Sequence, residues 1–207
     1  QGLVSQIISE NFSVKDVALK SDNPYYKEGL SYSQPKVFFY NDPKATQSIV
    51  QAYILGPTQA TNRDKNLSQL FNIYFGSGMS SLMFQEIREF RSLAYRASSS
   101  VENPPIKLND KAIRFNLLLS TQADKTTDAI QAVESLLSDM PLNEKRLEAA
   151  KDNMINQAQS AYPNFRQKTQ RIAQYKQEGY EEDPNKLIVE NVSGMNLQDL
   201  EDFYKKN

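Results

Sequence analysis

The sequence predicts an α+β fold in which a mostly antiparallel sheet of at least four strands is backed by helices on one face. Two observations predict it. Strand-like segments come in two pairs separated by two helical segments, and the rest of the chain carries only helical patterns. The second pair, Tyr95–Val101 and Ala112–Ser120, is joined through a loop at Asn103-Pro104-Pro105, which favours antiparallel pairing. Because no internal repeat and no low-complexity linker divides the chain, we expect residues 1–207 to form a single domain.

The first part of the chain carries one helical pattern and two strand patterns. Apolar residues recur at helical spacing over Leu3–Phe12, and a polar loop containing Asp22-Asn23-Pro24 follows. Val37–Tyr40 is a β-branched and aromatic run that ends at a turn, which predicts a strand. Ser48–Leu55 has apolar residues on both faces and stops at Gly56-Pro57. This pattern predicts a strand that is buried on much of both faces.

Two helices are predicted between the strand pairs. The first extends through Phe75 with Thr61 or Asn62 as its N-cap, and Gly76-Ser77-Gly78 breaks it. The second follows Ser80 or Ser81, either of which can cap it. The strand after the next loop is the clearest in the sequence, because its apolar residues alternate and share one face: Ile113, Phe115, Leu117 and Leu119.

The remainder of the chain is predicted to be helical. Thr126–Met140 forms one helix, and Asn143 caps a long helix that Pro163 breaks. Asn164 starts a further helix, which carries apolar residues on one stripe. Two short helices near residues 185–192 and 197–204 complete the chain.

Composition excludes several classes of function. The 24 basic and 25 acidic residues nearly balance, whereas a nucleic-acid-binding domain is usually basic. No stretch approaches the roughly 18–20 apolar residues that span a bilayer, so no membrane span is expected. The chain has no histidine and no cysteine, so it lacks the usual ligands of catalytic zinc and any thiol nucleophile. We therefore expect no metal ligands and no catalytic residues here, and the chain alone should bind no zinc and cleave no peptide.

The segment from Tyr74 to Tyr95 carries the functional signal. A glycine turn leads into a capped amphipathic helix, and the helix feeds a strand that starts at Tyr95. Arg88 lies in the last turns of that helix, so the corner can bring both side chains to one surface. Arginine and tyrosine donate hydrogen bonds of the kind that hold a peptide carbonyl or an oxyanion. The alternative is structural: Arg88 favours the helix dipole and pairs with Glu89, and Tyr95 is an ordinary strand aromatic.

Other readings of this segment are weaker. Gly76-Ser77-Gly78 lacks the lysine and preceding strand of a phosphate-binding loop. Glu86 and Glu89 are spaced i, i+3 on a helix, which is more typical of a solvated charged face than of a catalytic carboxylate pair.

The same segment resembles the second domain of one half of the M16 (pitrilysin or insulinase) metallopeptidases. The family pattern runs from a glycine turn through Met-Ser-Ser-Arg/Leu-Leu-Phe to a helix ending in Arg-Glu-Lys-Arg-Gly-Leu-Ala-Tyr. Here that end reads Arg88-Glu89-Phe90-Arg91-Ser92-Leu93-Ala94-Tyr95. Phe90 replaces a basic residue and Ser92 replaces a glycine. If the glycine position requires a positive φ angle, Ser92 strains the corner and affects the placing of Tyr95.

The resemblance implies a role within a larger enzyme. M16 peptidases enclose a peptide chamber between related α+β domains, and zinc sits on an inverted His-x-x-Glu-His motif that is absent here. By position, Arg88 and Tyr95 match the second-domain residues that reach the substrate backbone. The resemblance thus implies a metal-free substrate-binding domain whose partner is a zinc-bearing catalytic domain or subunit and whose substrate is a peptide or unfolded polypeptide.

Two further expectations follow from the sequence and the resemblance. The alternative function is a non-enzymatic binding or scaffold protein of the same fold that has lost zinc chemistry. The chain begins at Gln1 and has no signal-peptide pattern, so we interpret it as a piece of a longer protein. The absence of cysteine and the usual location of the family that the chain resembles favour a periplasmic or otherwise extracytoplasmic location.

Overall fold

The computed structural model describes residues 28–58 and 61–206, together with Gln6 and Glu10. Its strands are β1 (Gln47–Thr58), β2 (Ala94–Glu102) and β3 (Ala112–Gln122). Its helices are α1 (Asn62–Phe71), which continues as a π-helical turn (Asn72–Gly76), α2 (Met83–Phe90, also π-helical), α3 (Thr126–Ser138), α4 (Glu144–Ser160), α5 (Lys168–Glu178), α6 (Pro184–Val192) and α7 (Leu197–Lys206). Single 3-10 turns occur at Ile106–Leu108 and Ala123–Lys125.

Within the described residues the strands form a three-stranded sheet in the order β1-β3-β2, and both pairings are antiparallel. Leu119 lies opposite Val50 on one side and opposite Ala97 on the other, so these three side chains share a face. The antiparallel α+β architecture that the sequence predicts is confirmed.

The core lies on the face of β3 that the alternating pattern identifies. Ile113 and Leu119 are buried, and Phe115 and Leu117 pack beside them as partly buried residues. Helical side chains from several elements cover them and are themselves fully buried: Leu70, Tyr74, Phe75, Met83, Ile87, Val133 and Leu147. Because burying one large apolar side chain contributes about 1.5–3 kcal/mol, this layer dominates the stability of the fold.

Two strand predictions are wrong. Val37–Tyr40 forms no strand in the described part of the chain, and its side chains are 81–91% exposed. A strand requires a partner for its backbone groups, and this segment has none there. β1 is present but is not buried on both faces, since Ile49 is 71% and Ile54 58% exposed. The strand lies at the edge of the described sheet, and on both of its faces apolar side chains are left largely uncovered by the described residues.

Side-chain caps fix the starts of α1 and α4, as the sequence predicts. Thr61 caps α1 by accepting a hydrogen bond from the Asp64 amide at 3.1 Å, and Asn143 caps α4 by accepting one from the Arg146 amide at 3.0 Å. The helix predicted from Asn164 begins later, at Lys168. The Asn164 side chain accepts bonds from the next amides along the chain, so residues 165–167 form a turn first.

The predicted helix over Leu3–Phe12 lies outside the described residues, apart from Gln6 and Glu10, which are helical. The predicted loop at Asp22-Asn23-Pro24 also lies outside them. In the described ranges, each helix is too short or too polar to cross a membrane.

Candidate functional site

The corner between α2 and β2 is held firmly on the core. Met83 and Ile87, on the inner side of α2, are completely buried. The Leu93 amide donates to the Ile87 carbonyl at 3.0 Å, and the Thr121 hydroxyl donates to the Leu93 carbonyl at 2.5 Å. These contacts fix the path of the chain from the end of α2 into β2.

Ser92 takes a left-handed backbone conformation in the middle of this corner. Its φ angle is +50°, and no other non-glycine residue in the described ranges has a positive φ. Because this conformation costs an L-residue roughly 1–2 kcal/mol, the serine is strained where the family pattern has glycine. Such strain persists only when the surrounding contacts determine the conformation.

Tyr95 occupies a β-bulge at the start of β2. Ala94 lies opposite Thr121 while Arg96 lies opposite Ser120, so Tyr95 is an extra residue with no partner on β3. A bulge bends its strand and redirects the inserted side chain. The Tyr95 side chain is 77% exposed, and its hydroxyl has no hydrogen-bond partner among the described residues.

Arg88 meets Tyr95 at this corner, as the sequence predicts. The guanidinium carbon lies 5.6 Å from the centroid of the Tyr95 ring and 4.7 Å from that of Phe84. These distances are in the range of cation–π contacts, which hold the guanidinium in place without using its N–H groups. The side chain remains 43% exposed, so the guanidinium is reachable from solvent.

The structural alternative for Arg88 is also present in part. Its Nε lies 3.5 Å from Oε1 of Glu89, whose side chain is 48% exposed. An ion pair this open contributes roughly 0–1 kcal/mol. The pair therefore adds little to stability and leaves the other guanidinium nitrogens available.

Phe84 is the site residue that sequence reasoning missed. Its ring supports the Arg88 guanidinium from one turn earlier on α2. The signal was the i, i+4 spacing of an aromatic residue and an arginine, which places both side chains on one helical face.

The glycine turn before α2 has a packing role as well. A Cβ added at Gly76 would lie 2.2 Å from the Ser99 carbonyl oxygen, so only glycine lets the end of the first helix approach β2 this closely. The Asn72 side chain joins the same two elements, accepting from the Val101 amide at 2.6 Å and donating to the Val101 carbonyl at 2.9 Å.

Metal ligands do not gather in the part of the chain that the structure describes. In those ranges no group of three or more histidine, cysteine, aspartate or glutamate residues could hold a metal ion. The corner thus offers hydrogen-bond donors and a cation rather than a coordination site.

The chain is similar to a family of peptidase domains. The family model described as the peptidase M16 inactive domain matches residues 4–154. No curated protein matches the chain.

Solved structures share the fold at low sequence identity. A protease from Helicobacter pylori is 14% identical with a TM-score of 0.66, and the match covers 99% of this chain and 49% of that one. A peptidase M16 inactive domain from Pseudomonas fluorescens is 16% identical with a TM-score of 0.63, over 79% of this chain and 39% of that one. The inactive peptidase domain of a putative zinc protease from Bordetella parapertussis is 17% identical with a TM-score of 0.58, over 76% and 84% of the two chains. This chain thus spans half or less of the length of the first two.

Proposed function

The chain belongs to the peptidase M16 inactive-domain family, and from this premise we propose that it is the metal-free, substrate-binding domain of a zinc-dependent M16 endopeptidase. In this role it closes a peptide chamber opposite a histidine-bearing catalytic domain, which lies in the same chain or in a separate subunit. The substrate is a peptide or an unfolded polypeptide.

One observation carries the proposal: the Arg88 guanidinium lies over the exposed Tyr95 ring at a corner that is fixed to the core. Two donors of different geometry are thereby presented together, a planar fork and a single hydroxyl. Donors that are held in place before substrate arrives lower the cost of stabilising a developing negative charge. We assign Arg88 and Tyr95 to the substrate backbone near the scissile bond, and to Phe84 the positioning of Arg88.

Zinc in this proposal belongs to the partner domain. The donor set of this chain does not fit a catalytic zinc ion, because it has no histidine and no cysteine. The zinc would activate the attacking water in the partner domain. The part of this chain is to bind and orient the peptide.

An extracytoplasmic location completes the proposal. The periplasmic protease PqqL from Escherichia coli is a structural neighbour with a TM-score of 0.57 and 16% identity. The absence of cysteine is compatible with such a compartment.

The test is peptide cleavage by the full-length parent protein, or by this chain combined with its zinc-bearing half, carrying Tyr95→Phe or Arg88→Lys. Loss of one preorganised donor typically costs about 10²–10³ in kcat, so each variant should lose activity on that scale while keeping its melting temperature. Tyr40→Phe and Arg171→Lys are matched controls at exposed positions outside the corner, and they should cleave like the wild type.

Full activity in both corner variants would remove the substrate role. A large fall in melting temperature for Tyr95→Phe would instead assign the hydroxyl to the fold. An assembled protein that binds peptide with no cleavage by the wild type would favour the non-enzymatic scaffold.

A further inference from the structure

Helix α5 and the turn before it form an arm (residues 162–178) that the rest of the described chain leaves largely exposed. None of the residues of α5 is buried. Tyr162 is 86%, Phe165 75% and Ile172 55% exposed. An isolated helix of this length is only marginally stable in water, so an arm with exposed apolar side chains gains stability from a partner.

Among the described residues, the contacts that hold the arm lie at its C-terminal end. Gly179 ends α5 with a φ angle of +97°, and its Cα packs against the backbone of Lys107. The Tyr180 ring contacts Tyr175 edge-on at 6.1 Å between centroids and lies 4.9 Å from Nζ of Lys65. The arm therefore projects from a fixed base.

Charge is segregated along this arm. Between residues 162 and 177 there are basic side chains and no acidic ones: Arg166, Lys168, Arg171 and Lys176. The chain then turns acidic at Glu178, Glu181, Glu182 and Asp183. Some of these acids are already used, since Glu182 pairs with Lys186 at 3.1 Å and Asp183 caps α6. In contrast, Arg166, Lys168 and Arg171 form no ion pair with another described residue.

We propose that the arm binds the same arm of a second copy of this chain, in antiparallel orientation about a two-fold axis. Antiparallel packing sets the basic start of each arm against the acidic end of the other, and the two-fold axis makes the contact twice. Parallel packing would set like charges against each other. The same contact covers Phe165 and Ile172, and the small side chain of Ala173 near the middle of the arm permits close approach.

A second copy suits the arm better than an anionic membrane surface does. A membrane would attract the basic start but repel the acidic end, which lies within a few residues of α5. A second copy of the arm offers opposite charge to both the basic start and the acidic end.

The dimer is expected to be weak. Stable interfaces bury about 800 Å² on each partner, and an aromatic side chain contributes about 150–250 Å². Two aromatic residues and one isoleucine on a short arm fall below that area, so association should appear in the micromolar range and weaken with salt.

Two charge-reversed variants test the proposal by sedimentation velocity. Arg166→Glu/Lys168→Glu/Arg171→Glu makes the arm wholly acidic apart from Lys176. Glu178→Lys/Glu181→Lys places basic residues at the end of the arm and just beyond it. Each variant alone should dissociate at least about tenfold more readily than the wild type, because like charges then meet. An equimolar mixture should restore dimers, since the two reversed arms complement each other. Lys44→Glu/Lys145→Glu, at exposed positions outside the arm, should dimerise like the wild type.

Circular dichroism should show the same helix content in all variants, because no residue of α5 is buried. A wild type that stays monomeric throughout the micromolar range would overturn the proposal. Failure of the mixture to dimerise would also overturn it, as would arm-dependent binding of the monomer to phosphatidylglycerol vesicles.

Discussion

The Arg88–Tyr95 corner and the arm each expose aromatic rings beside an arginine, but they rest on different foundations. Under the corner, Met83 and Ile87 are completely buried. Along α5 of the arm no residue is buried, and the Arg166 guanidinium lies 5.1 Å from the centroid of the neighbouring Phe165 ring. The exposed side chains at the corner therefore stand on a rigid base. Exposure along the arm describes a surface that awaits cover.

The two regions also differ in backbone strain. The corner keeps Ser92 at a φ angle of +50°, which the surrounding packing must support. At the end of the arm, the left-handed position is occupied by Gly179, and glycine adopts this conformation without such a cost. Strain is thus found where the core can sustain it and where the proposed substrate donors lie.

An isoleucine-to-alanine substitution in each region should give the largest difference in the free energy of unfolding. Ile87→Ala should destabilise the protein by about 2–5 kcal/mol, because it leaves a cavity beneath the corner. Ile172→Ala in the arm should change stability by less than about 0.5 kcal/mol, because that side chain is 55% exposed. Urea unfolding at low protein concentration measures both. Equal losses would show that the arm packs on the domain as tightly as the corner does.

Sequence patterns predicted what depends on local spacing. The alternation of Ile113 and Leu119 identified the buried face of β3, and the helix-to-strand order of the corner brought Arg88 beside Tyr95. The sequence patterns failed where the burial of an element depends on which other elements pack against it. The apolar residues Ile49 and Ile54 indicate burial equally well in a covered strand and in an open one.

The bulge and the arm show the same limit. The inserted residue at Tyr95 leaves no trace in the alternating pattern, because only Ala94 precedes it in β2 and a single residue cannot show a change of phase. Phe165 and Ile172 have the spacing of a packed helix, and spacing alone does not show whether another element covers them.

The base of the arm should respond to alkaline pH. Burial, followed by the nearby Glu178 carboxylate and Tyr175, raises the pKa of Tyr180 to about 12, from 10.0. A raised pKa gives stability that is complete below pH 10 and is lost as pH rises through 12. After discounting for its partial contact with water, we expect a loss of roughly 1–2 kcal/mol over that interval.

Tyr180→Phe is the variant that isolates this effect. Its free energy of unfolding, measured by urea at intervals from about pH 9 to about pH 12, should fall less steeply with pH than that of the wild type. Parallel curves for the two proteins would assign the alkaline loss to other groups.

The smallest effect concerns the strain at the corner. Ser92→Gly relieves a left-handed conformation that costs roughly 1–2 kcal/mol, but glycine also gains freedom in the unfolded chain worth about 0.4–1 kcal/mol. The net result should be a stabilisation of about 0.5–1 kcal/mol, which raises the melting temperature by about 1–4 °C for a chain of this size.

Ser92→Ala keeps the strain and removes the hydroxyl, so it should give no gain. Ser193→Gly, at a φ angle of −55°, should destabilise instead. If alanine stabilised the protein as much as glycine does, the benefit would come from removing the hydroxyl, and the corner would carry no backbone strain to distinguish it from the arm.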